Sequence, residues 1–163
     1  MGLPPAICYE DEIYGVHQEI ETTVSLALFR LNQEWYGVDV HHVLEVITVL
    51  PITFLPKVPE HVLGIINVRG EIYPLIDIKR VLGLPATVNP EGNRIILLEA
   101  KGVAVGILVD EAATTLNLPL SKIEEPIFGL KSEWGDGLKG QVCWEEKLIG
   151  LLDVGKLIER TRL

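Results

Sequence analysis

The 163-residue chain has few aromatic residues, few basic residues and no long apolar run. Aromatic residues make up 6% of it, and 14 lysines and arginines stand against 23 aspartates and glutamates. The resulting net charge of −9 opposes binding to phosphate backbones. No apolar run approaches the ~20 residues that cross a bilayer as a helix. The composition therefore argues against a nucleic-acid-binding protein and against insertion into a membrane.

Cysteine is also scarce, with Cys8 near the start of the chain and Cys143 near its end. Two cysteines do not make a disulfide framework, and neither has a second ligand at the spacing that a zinc site requires. We expect two reduced thiols in a cytoplasmic protein, because disulfides are rare in that compartment.

Catalytic and metal-binding motifs are missing from the sequence too. The four histidines lack the paired spacing of zinc enzymes, and there is no phosphate-binding glycine loop or nucleophile motif. The acidic residues Asp110 and Glu111 are most simply interpreted as solvated charge. We therefore expect a binding module with no catalytic residues, no metal and no cofactor, rather than an enzyme.

The chain does have enough apolar sequence for a packed core, with 48% hydrophobic and 23% charged residues. Residues 1–23 are acidic and weakly patterned, and we predict an N-terminal extension there, outside a folded domain at residues 24–163. Within that domain, apolar segments separated by turn residues predict four β-hairpins. Their strands are expected at residues 25–31 and 35–40, 63–68 and 71–76, 94–100 and 103–109, and 140–144 and 148–152.

The remaining segments have less regular patterns. Asp77 and Asp153 each precede a short apolar run typical of a capped helix, at residues 78–82 and up to residue 159. Residues 41–46 have a mixed pattern that allows one or two helical turns. A short strand is expected at residues 52–55, between prolines. Residues 110–118 are unclear apart from an extended stretch at 116–118, and residues 120–134 are expected to be irregular.

The second half of the chain repeats the first. An offset of 76 residues places Gly64 on Gly140 and Asp77 on Asp153, and an offset of 69 aligns residues 26–29 with 95–98. This predicts pseudo-repeats at about residues 24–85 and 93–159, each too small for a thick core of its own. Two small barrels packed together solve that problem and also remove sheet edges. The sequence leaves open whether a strand of one half completes the barrel of the other.

Residues 64–84, with the sequence GIINVRGEIYPLIDIKRVLGL, closely resemble the central signature of the CheW family of chemotaxis coupling proteins. The resemblance continues on both sides and covers about residues 24–157. It implies a mainly β fold of two five-stranded SH3-like β-barrels in pseudo-repeat, with a few short helices. It also implies a non-enzymatic cytoplasmic adaptor for chemotaxis signal transduction. Such an adaptor joins the cytoplasmic tip of a chemoreceptor (a methyl-accepting chemotaxis protein) to the regulatory domain of a CheA-type histidine kinase, in an extended array.

The resemblance further implies a receptor-binding group made of Arg69, Val43 and Glu45. An arginine in a turn carries five donors, which can reach acceptors on a partner or carbonyl oxygens of its own chain. Val43 and Glu45 share a face if they lie in a strand, and they diverge if they lie in a helix. Taken alone, Val43 is more often a core residue and Glu45 a solvated charge.

Three glycines, Gly64, Gly70 and Gly140, match family glycines near the kinase contact. The plainer interpretation of each is turn geometry or the close approach of another backbone segment. The last hairpin departs from the family pattern, since residues 143–147, Cys-Trp-Glu-Glu-Lys, replace what is often a plainer turn. Trp144 there is either an exposed contact or a packed side chain.

Three other functions are compatible with the sequence. One is a similar adaptor in a pilus or gliding-motility pathway, which related domains serve. Another is a small-molecule-sensing barrel protein, which needs polar groups converging in a pocket and gains thermal stability from its ligand. The third is an unrecognised hydrolase, which needs a polar cleft.

Overall fold

A computed structural model describes residues 22–85, 93–125 and 138–161 of the chain. Within these ranges the chain forms ten strands and two α-helices, with 3₁₀ turns at Val40–His42 and Leu120–Lys122. No helix in the described ranges is long and apolar enough to cross a bilayer. The elements are β1 (Thr23–Leu31), β2 (Glu34–Asp39), β3 (Val43–Thr48), β4 (Val62–Val68), β5 (Glu71–Ile76), α1 (Ile78–Val81), β6 (Arg94–Ala100), β7 (Val103–Val109), β8 (Glu111–Pro119), β9 (Leu138–Trp144), β10 (Lys147–Leu152) and α2 (Val154–Thr161).

The strands form two five-stranded sheets, and each sheet combines both halves of the chain. The first barrel has the strand order β8-β1-β2-β10-β9, and the second has the order β3-β6-β7-β5-β4. Hairpin β1–β2 thus joins strands of the second half, while hairpin β6–β7 joins strands of the first. Each exchanged hairpin is attached through a parallel pair, β2 with β10 and β7 with β5. Each half of the chain therefore contributes one hairpin to the barrel of the other half. The sequence repeat left open whether the halves exchange strands in this way.

The repeat is visible in equivalent positions of the two barrels. Hairpins β4–β5 and β9–β10 both lie at a sheet edge, and a short helix follows each. Each hairpin also forms an isolated β-bridge with a residue outside the named strands. Ile65 of β4 pairs with Thr53, and Gln141 of β9 pairs with Glu124. Ile65 and Gln141 are 76 residues apart, so the offset read from the sequence corresponds to a structural equivalence.

Both helices begin at the predicted capping aspartates. The side chain of Asp77 accepts the backbone N–H of Arg80 at 3.3 Å, and that of Asp153 accepts the backbone N–H of Lys156 at 3.0 Å. Such bonds satisfy donors that the first helical turn leaves without partners. Gly83 follows α1 with a φ of 74°, the left-handed conformation that commonly closes a helix.

The apolar side chains form three clusters, which explains how two thin barrels are stable together. One cluster lies in each barrel, around Leu28 and Ile149 in the first and around Leu75 and Ile95 in the second. The largest cluster lies between the barrels and receives side chains from both sheets and both helices. Each fully buried side chain of this size stabilises the fold by about 1.5–3 kcal/mol. The largest members of the shared cluster include Phe29, Leu31, Ile76, Ile78, Ile96 and Leu98.

Some segments differ in detail from the sequence-based expectation. Residues 41–46, for which helical turns are expected, form the end of a 3₁₀ turn and most of β3. The expected short strand at residues 52–55 is reduced to one bridging residue, Thr53. Strand β8 occupies most of the unclear segment 110–118, where exposed residues interrupt the alternation that marks a half-buried strand. Residues 1–21, which hold nearly all of the predicted extension, and most of the irregular segment 120–134 lie outside the described residues.

Cys143 lies half-buried in β9 and is disulfide-bonded. The expectation of a reduced thiol is therefore wrong for this residue. The only other cysteine of the chain, Cys8, is outside the described residues. Composition and sequence separation do not report the distance between two thiols in the fold, and that distance decides whether they can bond.

A buried ion pair links the two barrels. Lys79 in α1 is 4% exposed, and its Nζ lies 2.7 Å from Oδ2 of Asp110, just after β7. The same carboxylate oxygen accepts the backbone N–H of Asn32, in the β1–β2 turn of the first barrel, at 2.6 Å. The interpretation of Asp110 as a solvated charge is therefore wrong, because the packing of α1 and the turn encloses it. Glu111, its neighbour, does lie at the surface and pairs with Arg30.

His61 lies just before β4, and its environment predicts a dependence of stability on pH. Its Nε2 is buried and has no hydrogen-bond partner among the described residues, and burial lowers the pKa of this imidazole below its usual 6.5. Because the unfolded chain binds this proton more readily, the free energy of unfolding falls as the pH drops below about 6.5. We expect urea titrations at pH 7.5 and 5.5 to show this loss.

The variant His61→Gln isolates the contribution of this residue. It is expected to reduce the difference in unfolding free energy between the two pH values. The exposed His41, which contacts Asp39, gives a matched control in His41→Gln. An unchanged pH dependence in the His61 variant would contradict the prediction.

Candidate functional site

Arg69 is presented at the tip of the β4–β5 hairpin. It has a φ of 51° and Gly70 has a φ of 93°, so both turn residues are left-handed, as tight two-residue hairpin turns require. The side chain of Asn67 stabilises the turn by accepting the backbone N–H of Gly70 at 2.8 Å. The Arg69 side chain is 71% exposed, so the turn holds a guanidinium group out at the surface.

The partner of Arg69 within the chain is Glu45 of β3. The guanidinium donates to Oε1 of Glu45, and this hydrogen bond is the main reason that the pKa of Arg69 is raised above its ordinary value. Glu45 is therefore not simply a solvated charge, and Arg69 bonds a side chain rather than the loop carbonyls of its own chain. An exposed pair of this kind contributes little to stability. Arg69 carries five donors, so it can also bond acceptors on a partner.

Val43 and Glu45 are both half-buried in β3, which agrees with the strand alternative for these two residues. A bulge between them shifts the register against β6, and Val43 packs against the cluster between the barrels. The structure thus gives Val43 a packing role and leaves Glu45 near the surface. The residues that alternate with them, Leu44 and Val46, are 48% and 45% exposed.

Exposed apolar side chains flank both members of the ion pair in sequence. Leu44 and Val46 stand on either side of Glu45, and Ile72 of β5, three residues after Arg69, is 55% exposed. Exposed apolar residues beside an arginine are typical of protein-binding surfaces. Successive residues of a strand point to opposite faces, so Leu44 and Val46 lie on the other face of β3 from Glu45. We call the surface of Glu45 and Arg69 the ion-pair surface.

Sequence reasoning missed the three exposed apolar side chains of β3 and β5, Leu44, Val46 and Ile72. A signal was available in β3, where the run VLEVIT places apolar residues on both faces of one strand. A strand with a solvated face is expected to carry polar residues there. The sequence does not say which of the two apolar faces is covered, because that depends on the neighbouring strands and helices.

Gly64 and Gly140 are required by the close approach of a second backbone segment. A Cβ atom on Gly64 would lie 2.3 Å from the carbonyl oxygen of Thr53, and one on Gly140 would lie 2.8 Å from Cγ2 of Ile123 and 3.1 Å from the carbonyl oxygen of Glu124. Cβ atoms do not approach a backbone oxygen as closely as 2.3 Å. The absence of a side chain on Gly64 therefore allows the bridge between Thr53 and β4 to form. The plainer interpretation of these two glycines, close backbone approach, is therefore what the structure shows.

Gly70 differs from the other two glycines. A Cβ on it would meet nothing within 4 Å, so only its φ of 93° favours glycine. Gly70 follows Arg69 in the turn of the β4–β5 hairpin, and Gly64 lies in β4 of the same hairpin, in the second barrel. Gly140 lies in β9 of the first barrel. The structure thus brings Arg69, Glu45 and Gly70 together and places Gly140 on the other barrel.

The described residues show no cluster with the chemistry of a metal site. Within residues 22–85, 93–125 and 138–161, no three His, Cys, Asp or Glu side chains converge. The arrangement that the structure does present is an exposed ion pair of Arg69 and Glu45, with exposed apolar side chains elsewhere on β3 and β5. This arrangement can bind a protein surface through hydrogen bonds and apolar contact.

Comparison with known proteins assigns these features to a family. Residues 25–162 match the family model of the CheW-like domain. The chain belongs to the CheW-like family. Chemotaxis protein CheW of Bacillus subtilis is 28% identical to it over 142 residues, which are 87% of this chain and 91% of that protein. Chemotaxis protein CheW of Rhizobium meliloti is 33% identical over 130 residues, or 79% of this chain and 83% of that protein.

A solved structure of the family has the same fold. It is the scaffolding protein TtCheW from Thermoanaerobacter tengcongensis, with a TM-score of 0.73 and 30% sequence identity. The likeness covers 81% of this chain and 90% of that one. The predicted mainly β fold with two SH3-like barrels in pseudo-repeat is confirmed, and the CheW-like family is of the scaffold and adaptor type.

Proposed function

We propose that this CheW-like protein is a non-enzymatic cytoplasmic adaptor in chemotaxis signal transduction. It joins the cytoplasmic tip of a chemoreceptor to the regulatory domain of a CheA-type histidine kinase, without a cofactor and without entering the membrane. The observation that carries the proposal is the family's hairpin signature, folded so that Arg69 projects from its tip. The names of the chemotaxis relatives support the pathway.

The ion-pair surface is the proposed receptor contact. A receptor tip built of helices offers carboxylates and carbonyl oxygens that the Arg69 guanidinium can bond, with Glu45 holding it in position. Ile72, on the same hairpin as Arg69, and Leu44 and Val46, on the opposite face of β3 from Glu45, are further exposed apolar side chains that a partner can cover. Val43 contributes indirectly, because its packing against the shared core supports β3.

The kinase contact is proposed at the hairpins that hold the three glycines. Gly64 and Gly140 act through shape, because each lets a neighbouring segment approach its hairpin and so forms the surface that a kinase domain meets. Gly70 has open space around it, and a partner's backbone can approach it directly. Gly140 lies on the first barrel, whereas Gly64 and Gly70 share the hairpin of Arg69, so the proposed kinase contact extends to the edge of the proposed receptor contact.

The variant Arg69→Ala tests the receptor contact. We expect its dissociation constant for a receptor cytoplasmic fragment to rise about tenfold, because an arginine at the centre of an interface is a typical hot spot. Binding is measured by isothermal titration calorimetry with the purified protein. Circular dichroism and thermal unfolding should match the unaltered protein, since the side chain is exposed.

Arg80→Ala is the matched control for Arg69→Ala. Arg80 is also exposed and also pairs with a glutamate, Glu60, but it lies on α1. It should leave receptor affinity unchanged. Equal affinities of the Arg69 variant and the unaltered protein would refute the receptor role of Arg69. If the unaltered protein binds neither receptor nor kinase fragments at about 50 µM, the adaptor function itself is wrong.

The choice of fragments also identifies the pathway. Receptor and kinase fragments from swimming, pilus and gliding systems of the same organism are compared under one set of conditions. Preferential binding to the swimming pair supports the chemotaxis assignment. Preferential binding to a pilus or gliding pair would replace it with an adaptor of that pathway.

A further inference from the structure

The disulfide of Cys143 connects the first barrel to a second cysteine, and the chain offers one candidate for it. Cys143 lies in β9 and is bonded, and Cys8 is the only other cysteine in the sequence. The 14 residue steps from Cys8 to Thr22, where the described residues begin, can span up to roughly 46 Å. In the sheet, β9 is three strands away from β1, or about 14 Å. The chain between them is therefore long enough for Cys8 to reach Cys143.

Cys143 lies on the same face of the sheet as a cavity of about 250 Å³. It pairs with Leu148 of β10, and directly paired residues of two strands point to the same face. Leu148 and Gly150 alternate along β10, so they share that face, and both line the cavity. Gly150 pairs in turn with Tyr36 of β2, which is another lining residue. A disulfide at Cys143 therefore brings its partner to the edge of this cavity.

The cavity offers an apolar surface on this face. A Cβ atom on Gly150 would lie 3.4 Å from Cδ1 of Leu138 and 3.4 Å from Cδ2 of Tyr36, so the space above β10 exists because residue 150 has no side chain. The hydroxyl of Tyr36 already donates to Oε1 of Glu34 at 2.7 Å, so its polar end has a partner within the chain. We call the surface of Tyr36, Leu138, Leu148 and Gly150 the β10 groove.

The residues around Cys8 have the composition that the β10 groove requires. Residues 3–9, Leu-Pro-Pro-Ala-Ile-Cys-Tyr, carry no charged side chain, whereas residues 10–12 are Glu-Asp-Glu. Ile7 and Tyr9 flank Cys8 directly, so a bond at Cys8 holds apolar side chains beside the groove. The cavity volume of about 250 Å³ is below the roughly 300–1,000 Å³ of most small-molecule pockets, and it suits the side chains of a peptide segment. Residues 3–9 are therefore a fitting occupant.

We propose that residues 3–9 cover the β10 groove, that a disulfide between Cys8 and Cys143 holds them there, and that reduction of this bond releases them. A dithiol supplies the two electrons and two protons of the reduction. The S–S bond breaks, both cysteines become thiols, and the dithiol becomes a disulfide. Disulfides in the cytoplasm are usually transient or redox-sensing, so the groove is covered under oxidising conditions and open under reducing ones. The proposal does not depend on the adaptor function.

The first test maps the disulfide in the purified full chain. The protein is equilibrated with glutathione disulfide, its free thiols are blocked with iodoacetamide, and it is digested without reduction. Mass spectrometry should find one pair of peptides that links Cys8 to Cys143, in protein that runs as a monomer on a non-reducing gel. Blocked thiols at both cysteines would overturn the proposal, and so would a disulfide between two chains.

The second test follows the β10 groove by methyl NMR spectroscopy. In the oxidised protein, we expect nuclear Overhauser contacts between residues 3–9 and the methyl groups of Leu138 and Leu148. Dithiothreitol, a dithiol, should remove these contacts and shift both leucine signals, while Leu44 on the second barrel keeps its signal. Cys8→Ser should give the reduced spectrum at both groove leucines with or without dithiothreitol. Groove signals that do not respond to dithiothreitol would show that the segment does not lie there.

Two variants separate docking of the segment from the disulfide alone, and neither alters a residue of the described fold. Ile7→Asn puts a polar side chain into the segment, and Ile13→Asn makes the same change outside it as the matched control. Because docking favours ring closure, Ile7→Asn should lower the equilibrium constant for disulfide formation against glutathione about tenfold. Ile13→Asn should leave this constant unchanged. An unchanged constant for Ile7→Asn, or equal losses in both variants, would refute docking in the groove.

Discussion

The variant Lys79→Met is expected to lower the free energy of unfolding by about 3 kcal/mol, because it leaves a buried carboxylate without its ammonium. Methionine retains most of the apolar stem of Lys79, so little packing is lost. The Asp110 carboxylate stays enclosed beneath α1, with the backbone N–H of Asn32 still donating to it. Urea denaturation followed by circular dichroism measures the change.

The neighbouring residue provides the control for this experiment. Arg80→Gln removes an ion pair with Glu60 that is one residue away in sequence but exposed to solvent. Its effect should be about 0.5 kcal/mol or less, since exposed pairs contribute little. The double variant Lys79→Met, Asp110→Asn should recover part of the lost stability, because no charge remains buried and the amide oxygen still accepts from Asn32. Similar losses for Lys79→Met and Arg80→Gln would show that burial does not matter here.

The variant Gly64→Ala is expected to lower the free energy of unfolding by more than about 3 kcal/mol. Alternatively, the segment around Thr53 detaches from β4 and the fold keeps more of its stability. The added Cβ would lie 2.3 Å from a backbone oxygen, which cannot move without breaking the bridge between Thr53 and Ile65. A φ of 152° adds strain for any residue with a side chain. Hydrogen exchange should therefore show faster exchange of the Thr53 and Ile65 amides, each of which donates at 2.9 Å to the other's carbonyl.

Gly155→Ala makes the same chemical change where the structure has room for it. A Cβ at this position in α2 would have Asp153 Oδ1 at 3.5 Å as its neighbour, an ordinary contact distance. This variant should be as stable as the unaltered protein or about 0.5 kcal/mol more stable, because alanine favours helix. A Gly64 variant with unchanged stability and unchanged amide exchange at Thr53 would contradict the close approach. The proposed kinase role adds that Gly64→Ala should also weaken kinase binding.

Hairpin β6–β7 illustrates what local sequence can predict. Its strands were expected at residues 94–100 and 103–109 and form at those positions, because apolar runs flank a Lys-Gly turn. The capped helices after Asp77 and Asp153 were predictable for a similar reason, since capping involves only residues a turn apart. β8 was harder, because an edge strand packs on a single neighbour and tolerates exposed residues at many positions.

The candidate site was predictable only in part. The signature around Arg69 identified the hairpin that presents the guanidinium, and the strand alternative for Val43 and Glu45 agrees with β3. The contact between Arg69 and Glu45 joins residues that are 24 positions apart, and no local pattern reports such a contact. Leu44 is exposed only because nothing else in the described fold covers that face of β3.

By itself, the sequence determined the strands of the four hairpins, the repeat with its paired glycines and aspartates, and the resemblance to the CheW family. These depend on residues near one another in the chain or on the order of such patterns. The tertiary structure decided that the halves exchange hairpins, that Lys79 and Asp110 form a buried pair, and that Cys143 is bonded. It also decided which apolar faces remain open. Each of these depends on which distant segments meet, and that is set by packing of the whole core rather than by any local run of residues.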